Sequence, residues 1–195
     1  MRINYKITFL GYWHCGSGLS SGAIADSVVI KDEKGLPYIP GKTMKGLFRD
    51  SITEIAKITD KKNHLEKVMS IFGMSAPDND PDKESETIRK STPGRAKFSN
   101  AILGKNEAEE AVHFKEHLFR ILSSTSIDEM TGTARQKSLR STEVCIPVEL
   151  YGSIQDLDES DLDAIETGIR CTRAIGAHRN RGLGRCRITI EKKES

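Results

Sequence analysis

Scarce cysteine, no long apolar run and few aromatic residues narrow this 195-residue chain before any motif is read. Cys15, Cys145, Cys171 and Cys186 stand far apart, which leaves neither a zinc knuckle nor a redox CxxC pair. A chain of this length can bury roughly 70% of its unfolded surface and needs no disulfide staple. The lack of a disulfide framework suits a reducing cytoplasm. No apolar stretch approaches the roughly 20 residues that span a bilayer. The opening Met1-Arg-Ile-Asn-Tyr-Lys6 alternates polar and apolar residues instead of carrying a signal-peptide core. A cytoplasmic protein with no membrane partner is the expectation. Also missing are metal-ligand spacings of His, Cys and carboxylate, a Ser/His/Asp triad and a paired-carboxylate site.

A net charge of only +2 excludes little, but its distribution is informative. Residues 153–166 carry Asp156, Asp158, Glu159, Asp161, Asp163 and Glu166 with no base, and residues 168–187 carry Arg170, Arg173, Arg179, Arg181, Arg185 and Arg187 with no acid. Such segregation gives a nearly neutral protein one basic face. Arginine suits phosphate, because its fork stays charged and bonds two oxygens at once. The bland reading is a solvated charged surface; glycines interleaved with the arginines count against it.

Hydrophobic periodicity outlines the elements. Ile3, Tyr5, Ile7 and Phe9 alternate as a half-buried strand, and glycines and serines from Gly11 to Gly22 mark a loop. Val28 to Ile30 reads as a short strand. Pro37, Pro40 and Gly41 lead into a helix bearing Met44, Leu47, Phe48, Ile55 and Ile58, followed by a second helix over 65–72. Residues 75–93 are polar and Pro-containing, so a mobile insertion is expected. A strand is expected over 95–103, a helix over 107–122, a polar loop or hairpin over 123–142, and a strand bearing Val144, Ile146, Val148 and Leu150. Leu162, Ile165 and Ile169 stripe the last helix, with its acids on the wet face, and Cys186, Ile188 and Ile190 alternate as the last strand. The regular elements reduce to strand, helix, strand, strand, helix, strand. That order predicts an α+β, ferredoxin-like (split βαβ, RRM-like) fold in a single domain, 1–195.

Three stretches carry chemistry. Gly176-Ala-His-Arg-Asn-Arg-Gly-Leu-Gly184 can turn tightly and offer amides as an anion nest, with Arg179 and Arg181 adding charge. Ile39-Pro-Gly-Lys-Thr-Met-Lys-Gly-Leu-Phe-Arg49 opens a helix whose free amides, with Lys42 and Lys45, attract anions. Its Gly-Lys-Thr string is not a Walker A motif: five residues separate Gly35 from Gly41 where four are required. Within Trp13-His-Cys-Gly-Ser-Gly-Leu-Ser-Ser-Gly-Ala-Ile-Ala-Asp26, His14 reads as general base, phosphate-contacting donor or packed histidine at a strand end, the last at least as well as either other. An isolated Asp26 reads by default as a turn or cap residue.

Together, Asp26-Ser-Val-Val-Ile-Lys-Asp32, Pro37-Tyr-Ile-Pro-Gly-Lys-Thr-Met-Lys-Gly46, Gly94-Arg-Ala-Lys-Phe98 and the 176–184 loop resemble the RAMP superfamily. The likeness is closest to the repeated backbone subunit of type III CRISPR RNA-guided complexes. The stretches follow the family's order through nearly the whole chain, although this chain is shorter than many members and lacks their zinc-binding Cys/His cluster. The resemblance implies copies of the chain stacked along a CRISPR guide RNA, with other complex subunits and a complementary target RNA as further partners. RNA contacts fall to His14, Ser17, Lys42, Lys45, Arg49, Gly176, His178, Arg179, Arg181, Gly182 and Gly184. A thumb, here 123–142 with Arg135, Lys137 and Arg140, wedges between bases and kinks the duplex. Asp26 occupies the position of the family's target-cleaving aspartate, which implies an endoribonuclease using a divalent cation, Mg2+ by preference. Two other readings are a guide-processing endoribonuclease with His14 as base, and a purely architectural RNA-binding subunit in which Asp26 is inert.

Overall fold

The alternation of Ile3, Tyr5, Ile7 and Phe9 is realised as strand β1, Arg2–Phe9, with all four side chains buried on one face. The computed structural model describes residues 1–20, 25–59, 62–74 and 92–194. After β1 come helices α1, Gly41–Ile58, and α2, Lys62–Phe72, then the short strands β2, Gly73–Met74, β3, Thr92–Pro93, and β4, Lys97–Phe98. Helix α3, Lys105–Ala111, continues as a 3-10 turn into β5, Phe119–Ser124, which pairs with β6, Arg140–Cys145. Strand β7, Glu149–Gln155, helix α4, Leu162–Cys171, and β8, Cys186–Glu194, complete the chain.

The main sheet has the order β4-β7-β1-β8, and every pairing is antiparallel. Ile3, Tyr5 and Ile7 with Leu150, Ile154 and Ile188 form its apolar face, covered by Met44, Phe48 and Ile52 of α1 and Ile165 and Ile169 of α4. The rings of Tyr5 and Phe48 meet edge to face at 5.6 Å. Each large side chain buried there contributes about 1.5–3 kcal/mol. Among the described residues no helix is long and apolar enough to cross a membrane.

Several boundaries differ from the sequence reading, each for a tertiary reason. The buried stripe of α1 is Met44, Phe48, Ile52 and Ala56, one residue every helical turn, and Ile58 falls off it at 73% exposure. Within 95–103 the pairing is interrupted: β4 pairs with β7, Ala101 then bridges Ile39, and Ile102 bridges Tyr151, while the Asn100 side chain accepts the Gly41 N–H at 2.9 Å. The expected helix over 107–122 stops at Leu118, because Phe119–Ser124 gains a cross-strand partner. The single strand expected through 144–150 is two strands in different sheets, separated at Pro147, which has no N–H for a ladder. Val28 to Ile30 forms only isolated bridges. Asp161 is buried, not on the wet face, and Arg95 pairs with both Asp161 and Asp158. Of the expected 75–93 insertion, 75–91 lie outside the described residues, while Thr92–Pro93 pairs with Gly73–Met74.

Candidate nucleic-acid interface

The loop joining α4 to β8 is pinned to the chain leaving β1. The Gly184 N–H donates to the Tyr12 carbonyl and the Ala177 N–H to the His14 carbonyl, each at 2.8 Å, while the Ile175 N–H donates to the Gly184 carbonyl at 2.9 Å. Gly176 and Gly184 have φ of +95° and +75°, and a Cβ on either would stand about 2 Å from a carbonyl oxygen, His14's or Ile175's. Between them, His178 and Gly182 are left-handed and flank a 3-10 turn, Arg179–Arg181. The amides of Arg181, Gly182 and Leu183 are spent inside the loop. The amides left to an anion nest of the kind expected from the sequence are those of Gly176, His178, Arg179 and Asn180, which have no acceptor among the described residues.

The charge segregation survives folding. Most of the acidic run meets a local partner: Asp156 pairs with Lys97 at 2.9 Å, Asp158 and Asp161 with Arg95 and Glu166 with Lys193 at 2.5 Å, and Asp163 hydrogen-bonds His64 at 2.8 Å. The hydrogen bond and charge of the Lys97 ammonium hold the Asp156 carboxyl below its usual range. Of the six arginines in 168–187 only Arg170 meets a carboxylate among the described residues, Glu166 at 3.9 Å. Arg173, Arg179, Arg181, Arg185 and Arg187 are exposed and pair with no carboxylate among the described residues.

His14 is 97% buried beneath this loop, 6.4 Å ring to ring from His178. Its Nδ1 lies 2.6 Å from the Glu143 carbonyl oxygen. A carbonyl only accepts, so Nδ1 carries the proton, and the second nitrogen, Nε2, lies beside Gly16. Ser17 is occupied within its own loop, its N–H and Oγ both donating to the Val28 carbonyl.

Asp26 sits against β6 near the tip-side end of the β5–β6 ladder. Its N–H donates to the Ser141 carbonyl at 2.8 Å, and its Oδ2 accepts the Ser141 N–H at 2.7 Å. The next residue bridges Thr142 in parallel, and the Glu143 N–H donates to the Ser27 carbonyl at 2.9 Å. The default turn or cap role gives way to a clamp between loop and hairpin. Glu143 secures the same corner: its carboxylate accepts from the Val29 N–H at 2.9 Å and from Lys31 Nζ at 2.8 Å, and Lys31 lies 4.0 Å over the Phe119 ring. Glu143, Lys31 and Ser141 escaped the sequence reading. The one available signal was a carboxylate placed directly before the apolar Val144 and Cys145.

Beyond β5 the hairpin is exposed, with Met130 97% accessible at its tip. Arg135 reaches Asp128 at 3.6 Å, Lys137 adopts φ of +58°, and Arg140 opens β6 on the surface beside Ser141. The Thr131 and Met130 amides hold the Asp128 carboxyl low.

The first turn of α1 stands apart. Its leading amide, on Gly41, is taken by Asn100, so that donor is not free as expected. Lys42 is exposed, Lys45 half-buried, and Arg49 reaches its neighbour Asp50 at 3.4 Å. No hydrogen bond or ion pair among the described residues joins these three to the 176–184 loop or to Asp26. The structure thus gathers His14, Gly176, His178, Arg179, Arg181, Gly182 and Gly184 in one corner, and Asp26 with Arg140 in a second. Glu143 bridges the two through His14 and Ser27. No group of three His, Cys, Asp or Glu that could hold a metal occurs among the described residues.

The RAMP superfamily model matches residues 6–187. CRISPR system Cms endoribonuclease Csm3 of Enterococcus italicus is 25% identical over 204 residues, covering 98% of this chain and 90% of that protein. A chain of the type III-B Cmr-beta complex bound to cognate target RNA superposes with a TM-score of 0.70 at 10% identity, over 97% of both chains. A chain of the apo Cmr-beta complex gives 0.66 at 10% identity, over 99% of this chain and 98% of the other. At that identity the two complexes speak for the fold alone, whereas the family model spans nearly the whole sequence. This chain belongs to the RAMP superfamily.

Proposed function

We propose that this protein is a guide-RNA-binding backbone subunit of a type III CRISPR effector complex, stacked in copies along the guide and cutting bound target RNA at Asp26. The observation that carries the reading is the set of five exposed arginines, paired with no carboxylate among the described residues, around a loop whose glycines let it pack on the chain leaving β1. A polyanion with regularly spaced phosphates is their natural counterpart. The Csm3 relative, an endoribonuclease by name, supports the assignment. The succession β1-α1-β4-β7-α4-β8 with sheet order β4-β7-β1-β8 supports reading the fold as ferredoxin-like.

In this reading the terminal loop, seated on the buried His14, holds the guide's backbone, and the β5–β6 hairpin is the thumb that wedges between bases. Asp26 Oδ2 is occupied by the Ser141 N–H, which leaves Oδ1 to face RNA. A kinked phosphodiester brings its 2′-OH into line with phosphorus; Oδ1 orients that hydroxyl or takes its proton as the O2′–P bond forms, while the bond from phosphorus to the 5′ oxygen breaks and that oxygen takes a proton from water. No group of three His, Cys, Asp or Glu that could hold a metal occurs among the described residues, so Asp26 alone would hold Mg2+, through the ion's water shell. Such an ion supplies charge stabilisation at the leaving oxygen. The protein works in the cytoplasm, where guide and target RNA meet.

The test is purification from the host cell and sequencing of the RNA that accompanies the protein. Repeat-derived guides of defined length, and regularly spaced cuts in a complementary target with Mg2+, are expected. Guides absent from the purified protein would overturn the assignment. Uncut target in an assembled complex would leave the architectural subunit. Cutting of repeat-containing precursor, lost in His14→Ala, would establish the processing enzyme instead.

A further inference from the structure

The sheet face turned away from α1 and α4 holds an open recess of about 550 Å³, within the size range of ligand sites. Tyr151 belongs to that face, since it stands opposite Lys6 in the β1–β7 register. The amides of Asn4, Asn100 and Gln155 and the cations Arg2 and Lys105 line the same recess.

These groups have unspent capacity. Arg2 Nε donates to Asn4 Oδ1 at 3.0 Å, which leaves the terminal nitrogens of the guanidinium available. Asn100 gives its carbonyl to the Gly41 N–H and keeps its NH2 donors. Gln155 and Lys105 have no side-chain partner among the described residues. Gly104 packs closely beside the ring: a Cβ there would stand 2.9 Å from Glu107 Oε2 and 3.3 Å from Tyr151 Cε2.

An aromatic ring on a central strand, amides that both donate and accept, and nearby cations are what an unpaired nucleotide requires for its base face, base edge and phosphate. We infer that the recess is a second RNA site, accepting one unpaired nucleotide with its base on Tyr151 and its phosphate toward Arg2 and Lys105. Glu191 on the rim repels phosphate and accepts from a base amino group. The inference rests on the RNA-binding reading only for the identity of the polymer; the 176–184 loop shares no residue with the recess.

The experiment crosslinks short single-stranded oligoribonucleotides carrying 4-thiouridine to the full chain and maps the labelled peptides by mass spectrometry. Labelling around Tyr151 is expected to fall about tenfold or more in Tyr151→Ala. It should persist in Tyr151→Phe and in the Arg179→Ala, Arg181→Ala double variant. Gln155→Ala, which removes no internal bond, should lower it several-fold without touching the fold. Labelling confined to the hairpin and terminal loop, unchanged by the recess variants, overturns the inference and leaves the loop reading intact. Labelling only at the recess, indifferent to the arginine pair, overturns the loop reading instead. If the recess variants alter self-association in sedimentation and leave labelling unchanged, the face is a contact between copies and the inference fails.

Discussion

Asp26 and Ser141 bind each other twice: the backbone N–H of Asp26 donates to the Ser141 carbonyl, and the Asp26 carboxylate accepts the Ser141 N–H at 2.7 Å across 115 residues of sequence. The residue proposed to cut RNA therefore also ties the loop to β6 near the tip-side end of the hairpin's ladder. Position of the hairpin and position of the carboxylate are one geometric variable.

Asp26→Asn and Asp26→Ala separate these roles. The asparagine oxygen still accepts the Ser141 N–H, so stability should change by no more than about 0.5 kcal/mol. Alanine leaves that amide without its acceptor and should cost about 1 kcal/mol in urea denaturation. Both should lower target cutting at least about a hundredfold in a time course with Mg2+, with guide binding retained. Normal cutting by Asp26→Asn would remove Asp26 from the chemistry.

Arg179→Ala with Arg181→Ala should weaken RNA binding about equally for unrelated sequences, because guanidinium groups and amides meet the backbone and not the bases. The slope of log affinity against log salt should become shallower by roughly one to two. Fluorescence anisotropy over a salt series gives both quantities. A loss restricted to one sequence would mean base recognition.

At Gly184 a methyl group would stand 1.9 Å from the Ile175 carbonyl oxygen, on a backbone with φ of +75°. Gly184→Ala should cost about 1–3 kcal/mol or displace the loop. Thermal melting reads the first and RNA affinity the second. A variant unchanged in both would show that the loop tolerates another path.

Replacing 126–138 by a short turn should leave a folded protein within about 1 kcal/mol of the parent, since these side chains are mostly exposed. Arg140 and Ser141 must be kept, because the Asp26 clamp begins there. Electron microscopy of the complex should then show irregular spacing along RNA. Regular assembly would exclude a spacing role for the tip.

Only one thiol should react in the native state. Burial pushes Cys15 up to about 11 and Cys145 and Cys186 up to about 12, whereas Cys171 is exposed. Maleimide labelling with intact-mass detection should add one group at neutral pH, and all four only in denaturant. Rapid modification of a second cysteine would place that part of the core elsewhere.

The sequence by itself determined whatever depends on neighbours a few residues apart. The alternation of Ile3, Tyr5, Ile7 and Phe9 is a strand in any context with one wet face, and Met44 with Phe48 or Ile165 with Ile169 makes a helical stripe wherever the helix docks. The basic, glycine-rich 176–184 loop was legible too, because its chemistry lies in consecutive residues. Tertiary structure decided the rest. Phe119–Ser124 became a strand because β6 lay alongside it, and Asp161 became buried because Arg95 arrived to neutralise it. Asp26, unremarkable among glycines and serines, acquired a partner 115 residues away, and Glu143 came to join His14, Val29 and Lys31 at one corner. Periodicity in a sequence reports which face of a local element is apolar; it holds no information about which distant N–H will meet which carboxylate, since that choice is made only when the elements pack.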